Sequence, residues 1–241
     1  IAAEDNHEGM IPFSTLLDRD KPVTQAELPT VAPTDMADFL FTSGTTAAPK
    51  CVMLTHENCV ASAHILARFP GIRQDDVYLS PFPFFTSSGV HTSLFTTATV
   101  GAHYVMSTEV QADALLREIE ESGATMVGAV PSIFDYMAKS PVAEEVDLTR
   151  VRYAFHGGAP VSPHQVAQYM RLFPRAEIMN VFGQTESGNP GTTLPGKYAL
   201  AKAGSIGKQG MQGVKVRVVG QDGNDISGAG VGELLLASKA V

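Results

Sequence analysis

Thr42-Ser43-Gly44-Thr45-Thr46-Ala47-Ala48-Pro49-Lys50-Cys51-Val52 crowds four hydroxyl residues, a glycine and a lysine between two short apolar runs. The runs are Phe39-Leu40-Phe41 and Cys51-Val52-Met53-Leu54. Hydroxyls, backbone N–H groups and one flexible ammonium are what a polyphosphate needs around it. Gly44 and Lys50 invite comparison with the Walker A loop, Gly-x-x-x-x-Gly-Lys-[Ser/Thr]. The match fails, because Pro49 stands where the second glycine belongs and Cys51 follows the lysine. The chain also runs on into a strand, Val52 to Leu54, and not into a helix. The plain alternative is a threonine-rich hairpin tip with no ligand.

Outward from this segment, strand-like runs alternate with amphipathic stretches. Strands are expected over 38–41, 52–55, 77–80, 102–106, 125–130, 151–156 and 176–180. Helical patterns fall at 58–69, 88–99, 110–122, 132–138 and 163–173, with Gly123 closing the third as a C′ glycine. Repeated alternation at this spacing predicts an α/β fold, a layered parallel-rich sheet flanked by helices. The first residues are rich in proline, with at most a short helix around 13–17. After Glu186, Gly188, Pro190, Gly191, Pro195 and Gly196 crowd a linker, and strands at 215–219 and 233–236 follow. The expected division is an irregular lead-in over 1–34, an α/β unit over 35–187, and a linker with the start of a smaller β-rich subdomain over 188–241. The chain starts at Ile1 without methionine and stops just after a strand-like run, so a fragment is expected.

Composition bounds the function. The 241 residues are 44% apolar and 17% charged, as in a globular protein with a sizeable core. Net charge is −8 with no Lys/Arg cluster, which argues against a nucleic-acid partner. Cys51 and Cys59 are too few for a disulfide framework and read as reduced thiols. No run of about 18 apolar residues is present, so no spanning helix is implied and a cytoplasmic location is expected. Peripheral membrane contact stays open.

Two further segments converge on nucleotide chemistry. Val181-Phe182-Gly183-Gln184-Thr185-Glu186 sets an aromatic ring, a glycine, a hydroxyl and a carboxylate together at a strand end. The ring can stack on a purine, Gly183 permits close backbone approach, and Thr185 can donate to a phosphate oxygen. Glu186 can supply the single carboxylate that Mg²⁺ takes while it bridges phosphates. His156-Gly157-Gly158-Ala159-Pro160 ends another strand, and its glycines leave a slot for a flat base. Strand ends are where ligands bind in open α/β sheets.

With these motifs in order, the chain resembles the adenylate-forming superfamily of acyl-CoA synthetases, luciferase-like enzymes and peptide-synthetase adenylation domains. That family's Thr-Ser-Gly-Thr-Thr-Gly-x-Pro-Lys-Gly-Val signature is similar to Thr42–Val52, and its Tyr-Gly-x-Thr-Glu to Phe182–Glu186. Its Gly-Ser-Ile-Gly-Lys and Gly-Glu-Leu segments resemble Gly204–Lys208 and Gly232–Leu234. The resemblance implies that Thr42, Ser43, Gly44, Thr45, Thr46 and Lys50 embrace the β- and γ-phosphates of ATP. It implies that Gly158, Ala159 and Pro160 border the adenine, with Phe182 and Gly183 beside it. Thr185 would contact the α-phosphate, Glu186 would hold Mg²⁺, and Lys50, Thr185 and Glu186 would form the catalytic set. Phe85, Thr86, His156 and Gly157 are the candidates for the carboxylic-acid substrate. The implied reaction joins a carboxylic acid to AMP and passes the acyl group to a thiol, commonly coenzyme A. The family's C-terminal lid domain and ribose-binding motif fall outside the chain, so the isolated fragment is expected to be inactive.

Departures from the family pattern matter. Ala47 and Cys51 replace glycines, which threatens a positive-φ turn or a close approach to phosphate. Thr86 stands where acyl-CoA members carry a histidine after Pro-Phe-Phe. No acidic residue lies within Phe84–Ser88, which disfavours an amino acid and favours a fatty or aryl acid. Pro81, Phe82, Pro83 and Phe84 would form an apolar wall. His56-Glu57 lacks the second histidine of a zinc motif, and His91 and His103 read as packing or surface residues. Two alternatives stand: an adenylation domain loading a carrier protein, and a nucleotide-binding homologue without turnover.

Overall fold

The hydroxyl-rich segment joins two strands, as its apolar flanks require. In the structure, a computed structural model that describes residues 28–42 and 48–241, β1 (Met36–Thr42) pairs antiparallel with β2 (Lys50–Thr55). Thr42 stands opposite Lys50, and Phe41 opposite Cys51. Ser43, Gly44, Thr45, Thr46 and Ala47 lie outside the described residues, as does the helix expected at 13–17. The compact unit described below is Pro33–Val241. α1 (His56–Arg68) follows β2 at once because Thr55 caps it. The Thr55 hydroxyl accepts from Asn58 N at 3.2 Å, and Asn58 Oδ1 accepts from Thr55 N at 2.9 Å. This reciprocal box satisfies two otherwise orphaned donors and starts the helix two residues before its apolar pattern does.

The chain then runs through β3 (Val77–Ser80), a π-helical turn (Ser88–Phe95) continuing into α2 (Thr96–Val100), β4 (His103–Met106), α3 (Ala112–Glu121), β5 (Met126–Ala129) and α4 (Pro131–Lys139). β6 (Tyr153–His156), α5 (Pro163–Leu172) and β7 (Glu177–Phe182) complete the alternation. Strand order β4-β3-β5-β6-β7 is parallel throughout. Strand periodicity then divides the side chains between two faces. Leu79, Val127, Ala154 and Ile178 pack with Leu115, Leu116, Phe134 and Tyr169 under α3, α4 and α5. Their neighbours Tyr78, Met126, Phe155 and Met179 form a second cluster on the opposite face. The α/β fold read from the sequence is therefore the fold observed.

Two elements depart from the pattern. The stretch read as linker contributes β8 (Thr192–Leu194) and β9 (Gln209–Gly210), which extend the main sheet antiparallel from β7. Their glycine- and proline-rich flanks hide strands of two and three residues, too short to show a period. β10 (Lys215–Val219) and β11 (Glu233–Ala237) form a separate antiparallel hairpin. The expected helix over 88–99 begins with π winding, in which the Thr96 hydroxyl donates to the His91 carbonyl five residues back at 2.7 Å.

The amino end of the sheet is locked by one carboxylate. Asp76 accepts from Arg152 Nε at 2.8 Å, from the Thr125 hydroxyl at 2.8 Å and from Arg73 N at 2.7 Å, with a second contact from Arg152 Nη2. Thr125 and Arg152 sit just before β5 and β6, and Asp76 itself just before β3, so this carboxylate aligns three strand starts. Burial pushes its carboxyl upward, but hydrogen bonds from Arg152, Arg73 and Thr125 outweigh that and hold it below the usual value. At the other end, Gly183 lets the chain fold back on itself: a Cβ there would lie 1.6 Å from the Asn189 carbonyl oxygen.

Asp76→Asn is expected to cost about 3 kcal/mol in urea unfolding near neutral pH, because it leaves the Arg152 charge without its partner. A depressed folded-state pKa gives stability that is complete above the unfolded value of about 3.9 and is lost as pH falls through the folded one. Wild type and variant should therefore converge on acidification; a gap that stays constant down to about pH 3 contradicts the assignment. Gly183→Ala should cost about 3 kcal/mol by forced overpacking. Gly158→Ala should cost about 1 kcal/mol from its positive φ alone, since a Cβ there meets only Val130, at 3.9 Å. Equal melting temperatures for the two variants would contradict the close approach.

Candidate active site

A cavity of about 170 Å³ opens at the carboxyl ends of β5, β6 and β7. Its apolar wall is the second face of the sheet, Tyr78, Met126 and Phe155, closed by Leu66 and Phe69 from α1 and its end. Its rim is Gly157 and Gly158 after β6, Phe182 at the end of β7, and Gly183 just beyond it. β6 and β7 are parallel neighbours with His156 opposite Asn180, so the two loops leave the sheet side by side. Gly157 lets the loop after β6 lie close against β7, since a Cβ there would lie 2.4 Å from the Val181 carbonyl oxygen. Ser88 and Thr92 from the π-helical turn and Asn189 supply polar groups in the same cavity.

Two of the three catalytic candidates, Thr185 and Glu186, follow the rim residue Gly183 within three positions. Thr185 and Glu186 lie on a single 3₁₀ turn, Thr185–Ser187, which packs against β2, the strand that begins at Lys50. The Ser62 hydroxyl of α1 donates to the Gly188 carbonyl, tying that turn to the helix that follows the hairpin. Thr42 and Thr185 are half-buried, and Lys50 and Glu186 are exposed. Neither the Lys50 ammonium nor the Glu186 carboxylate has a protein partner among the described residues. Ala159 and Pro160 are exposed on the loop beyond the cavity rim, and Phe182 is half-buried at the rim itself. Cys51 sits in the regular β1–β2 ladder, and among the described non-glycine residues only Asn189 has a positive φ. The backbone at Cys51 therefore does not require glycine.

Three of the four substrate candidates do not line the cavity. His156 is buried on the helix-covered face, its ring 5.9 Å from that of Tyr169, with Nδ1 unpartnered. Strand parity is the cause: Phe155 takes the cavity side, so the next residue points away. Burial pushes the His156 ring down to about 4, so it stays neutral. Phe85 is 84% exposed, and Phe82 takes the inward position instead. The Thr86 hydroxyl is spent locally, donating to the Pro83 carbonyl at 2.6 Å and accepting from Gly89 N at 3.2 Å. Only Gly157 of that set reaches the cavity.

The sequence reading missed Asn189 and Thr92. Asn189 holds φ +82°, donates from Nδ2 to the Thr92 hydroxyl at 2.7 Å and accepts from the Ser87 hydroxyl at 2.9 Å. Its signal was available: asparagine is among the few non-glycine residues that tolerate positive φ, and it follows Gly188 directly after the signature. Among the described residues no helix is long and apolar enough to cross a membrane.

Known proteins fit this geometry. Residues 3–241 match the family described as AMP-binding enzyme. The long-chain-fatty-acid–CoA ligase FadD13 of Mycobacterium tuberculosis is 34% identical over 83% of the chain, and 4-coumarate–CoA ligase 3 of Arabidopsis thaliana is 29% identical over 89%. The chain spans 39% and 38% of the lengths of these two relatives. An inhibitor-bound crystal structure of the N-terminal domain of FACL13 from Mycobacterium tuberculosis superposes with a TM-score of 0.81 at 31% identity, over 92% of this chain and 53% of that one. With the family matched over nearly every residue and the glycine-rich loop after β6 lying beside the Phe182–Glu186 segment at the sheet's carboxyl edge, this chain belongs to the AMP-binding enzymes.

Proposed function

We propose that the full-length protein is an ATP-dependent acid–thiol ligase that converts a fatty or aryl carboxylic acid to its acyl-adenylate and then to its coenzyme A thioester. The observation that carries this reading is the apolar cavity whose rim is formed by Gly157 and Gly158 after β6 and by Phe182 and Gly183 at the end of β7. A tail held against Tyr78, Met126 and Phe155 would bring its carboxylate to that rim, beside the turn bearing Thr185 and Glu186. Among the described residues, no acidic side chain lines the cavity to meet a substrate ammonium. The names of FadD13 and 4-coumarate–CoA ligase 3 point to the same two acid classes.

No protein general base is needed, since the attacking carboxylate is ionised near neutral pH. The task is to hold two anions in line and to offset charge at the transferring phosphorus. Lys50 would meet the outer phosphates from the start of β2, and the Thr185 hydroxyl would donate to the α-phosphate. The side-chain-free slot of Gly157 and Gly158, with Phe182 next to it, would take the adenine between loop and ring. Glu186 fits Mg²⁺: it is exposed, unpaired among the described residues, and a single carboxylate is what that ion takes when phosphates supply other oxygens. Bound there, Mg²⁺ would offset charge on the departing pyrophosphate.

The test is carboxylate-dependent pyrophosphate exchange by the full-length protein, across aliphatic, aryl and amino acids. Exchange is expected with aliphatic or aryl acids and not with amino acids. Lys50→Ala and Glu186→Ala should each lower it by about 100-fold, the scale for loss of one charge-stabilising group. ATP binding without exchange for any acid would overturn the ligase reading in favour of a nucleotide-binding homologue.

A further inference from the structure

Asp38, Cys59 and His91 come from three elements distant in sequence, β1, α1 and the π-helical turn, yet their ligand atoms all lie within 4.8 Å of one another. Asp38 Oδ2 is shared: it is 2.9 Å from His91 Nε2 and 3.3 Å from Cys59 Sγ. His91 is fully buried and Cys59 is 5% exposed, while the Asp38 side chain keeps 26% of its surface open to solvent. The second ring nitrogen of His91 is buried with no hydrogen-bond partner. The polar cluster is thus incompletely satisfied, dry on two sides and accessible from the third. None of the three residues lines the cavity or belongs to either signature loop.

We propose that Asp38, Cys59 and His91 form a binding site for a zinc-class divalent cation, separate from the nucleotide and acyl sites. Thiolate, imidazole and carboxylate together are the donor set of borderline-soft, four-coordinate ions. Bond lengths of about 2.0–2.3 Å place tetrahedral ligand atoms about 3.3–3.6 Å apart, so the two short contacts need open by only a few tenths of an ångström. The third, between Cys59 and His91, closes by rotation of side chains already facing one oxygen. On binding, the Cys59 thiol loses its proton to solvent, and His91 carries its proton on Nδ1 so that Nε2 ligates. Water entering from the open side of Asp38 fills the fourth position. π-helical winding is frequent at functional sites, and here it sets the direction from which His91 meets Asp38.

The position gives the cation a consequence. Asp38 lies on the same face of β1 as Thr42, four residues before the hydroxyl-rich loop, and His91 precedes the cavity residue Thr92 directly. The ion would therefore staple the hairpin, α1 and the π-helical turn together from behind the proposed active site.

Titration of the full chain with Co²⁺ reads the thiolate ligand directly, through a thiolate-to-cobalt charge-transfer absorption. Wild type and Cys51→Ser should each show it at one ion per chain, and Zn²⁺ should abolish it. Cys59→Ser and His91→Gln, which keep a polar group facing Asp38, should lose the band, and Zn²⁺ should raise the melting temperature of wild type but not of Cys59→Ser. A band that follows Cys51, or no band and no zinc-dependent shift in wild type with its melting transition intact, overturns the proposal.

Discussion

Parallel pairing of β6 with β7, with His156 opposite Asn180, is the constraint on which the site depends. Because both strands run the same way, the loops that follow them emerge at one edge and one height. Because side chains alternate, each strand gives one set of residues to the helices and the other to the cavity. Phe155 and His156 show how sharp the division is: one bond apart, they end on opposite sides of the sheet. The cavity is thus a product of strand parity closed by α1, not of a loop folded over open surface.

Polar anchors then fix the two ends. Asp76 aligns the starts of β3, β5 and β6 far from the cavity, so the sheet is rigid where no chemistry is proposed. At the carboxyl edge the fastening is lighter: the Ser62 hydroxyl on the Gly188 carbonyl, and Asn189 bridging Ser87 and Thr92. These contacts link the glutamate-bearing turn to α1 and to the π-helical turn. A site that must admit and release ligands is expected to sit at the less constrained end. The Asp38, Cys59 and His91 cluster lies along the same linkage, behind the hairpin that carries Lys50.

Much of this was legible in the chain itself. Alternating apolar runs fixed the α/β class, and Gly123 marked a helix end that the structure retains. Two of the segments singled out, His156–Pro160 and Phe182–Glu186, do stand at the ends of neighbouring strands. The failures have physical causes. His156 sits next to cavity-lining residues in sequence and Phe85 three positions from one, but parity and an exposed turn direct them elsewhere. β8 and β9 are too short to show a period, and Asn189 looked like linker because its role depends on a backbone conformation. The convergence of Asp38, Cys59 and His91 spans more than fifty residues and exists only in the folded chain.

The proposed chemistry requires that the second face of the sheet, and not the helix-covered face, receives the acyl group. A crystal structure of the full-length protein with a non-hydrolysable acyl-adenylate analogue tests it most directly. The claim predicts the tail against Tyr78, Met126 and Phe155, with the adenine between Phe182 and the Gly158-Ala159-Pro160 loop. A tail lodged beside His156 under α5, or a nucleotide bound away from the loops that follow β6 and β7, would contradict it.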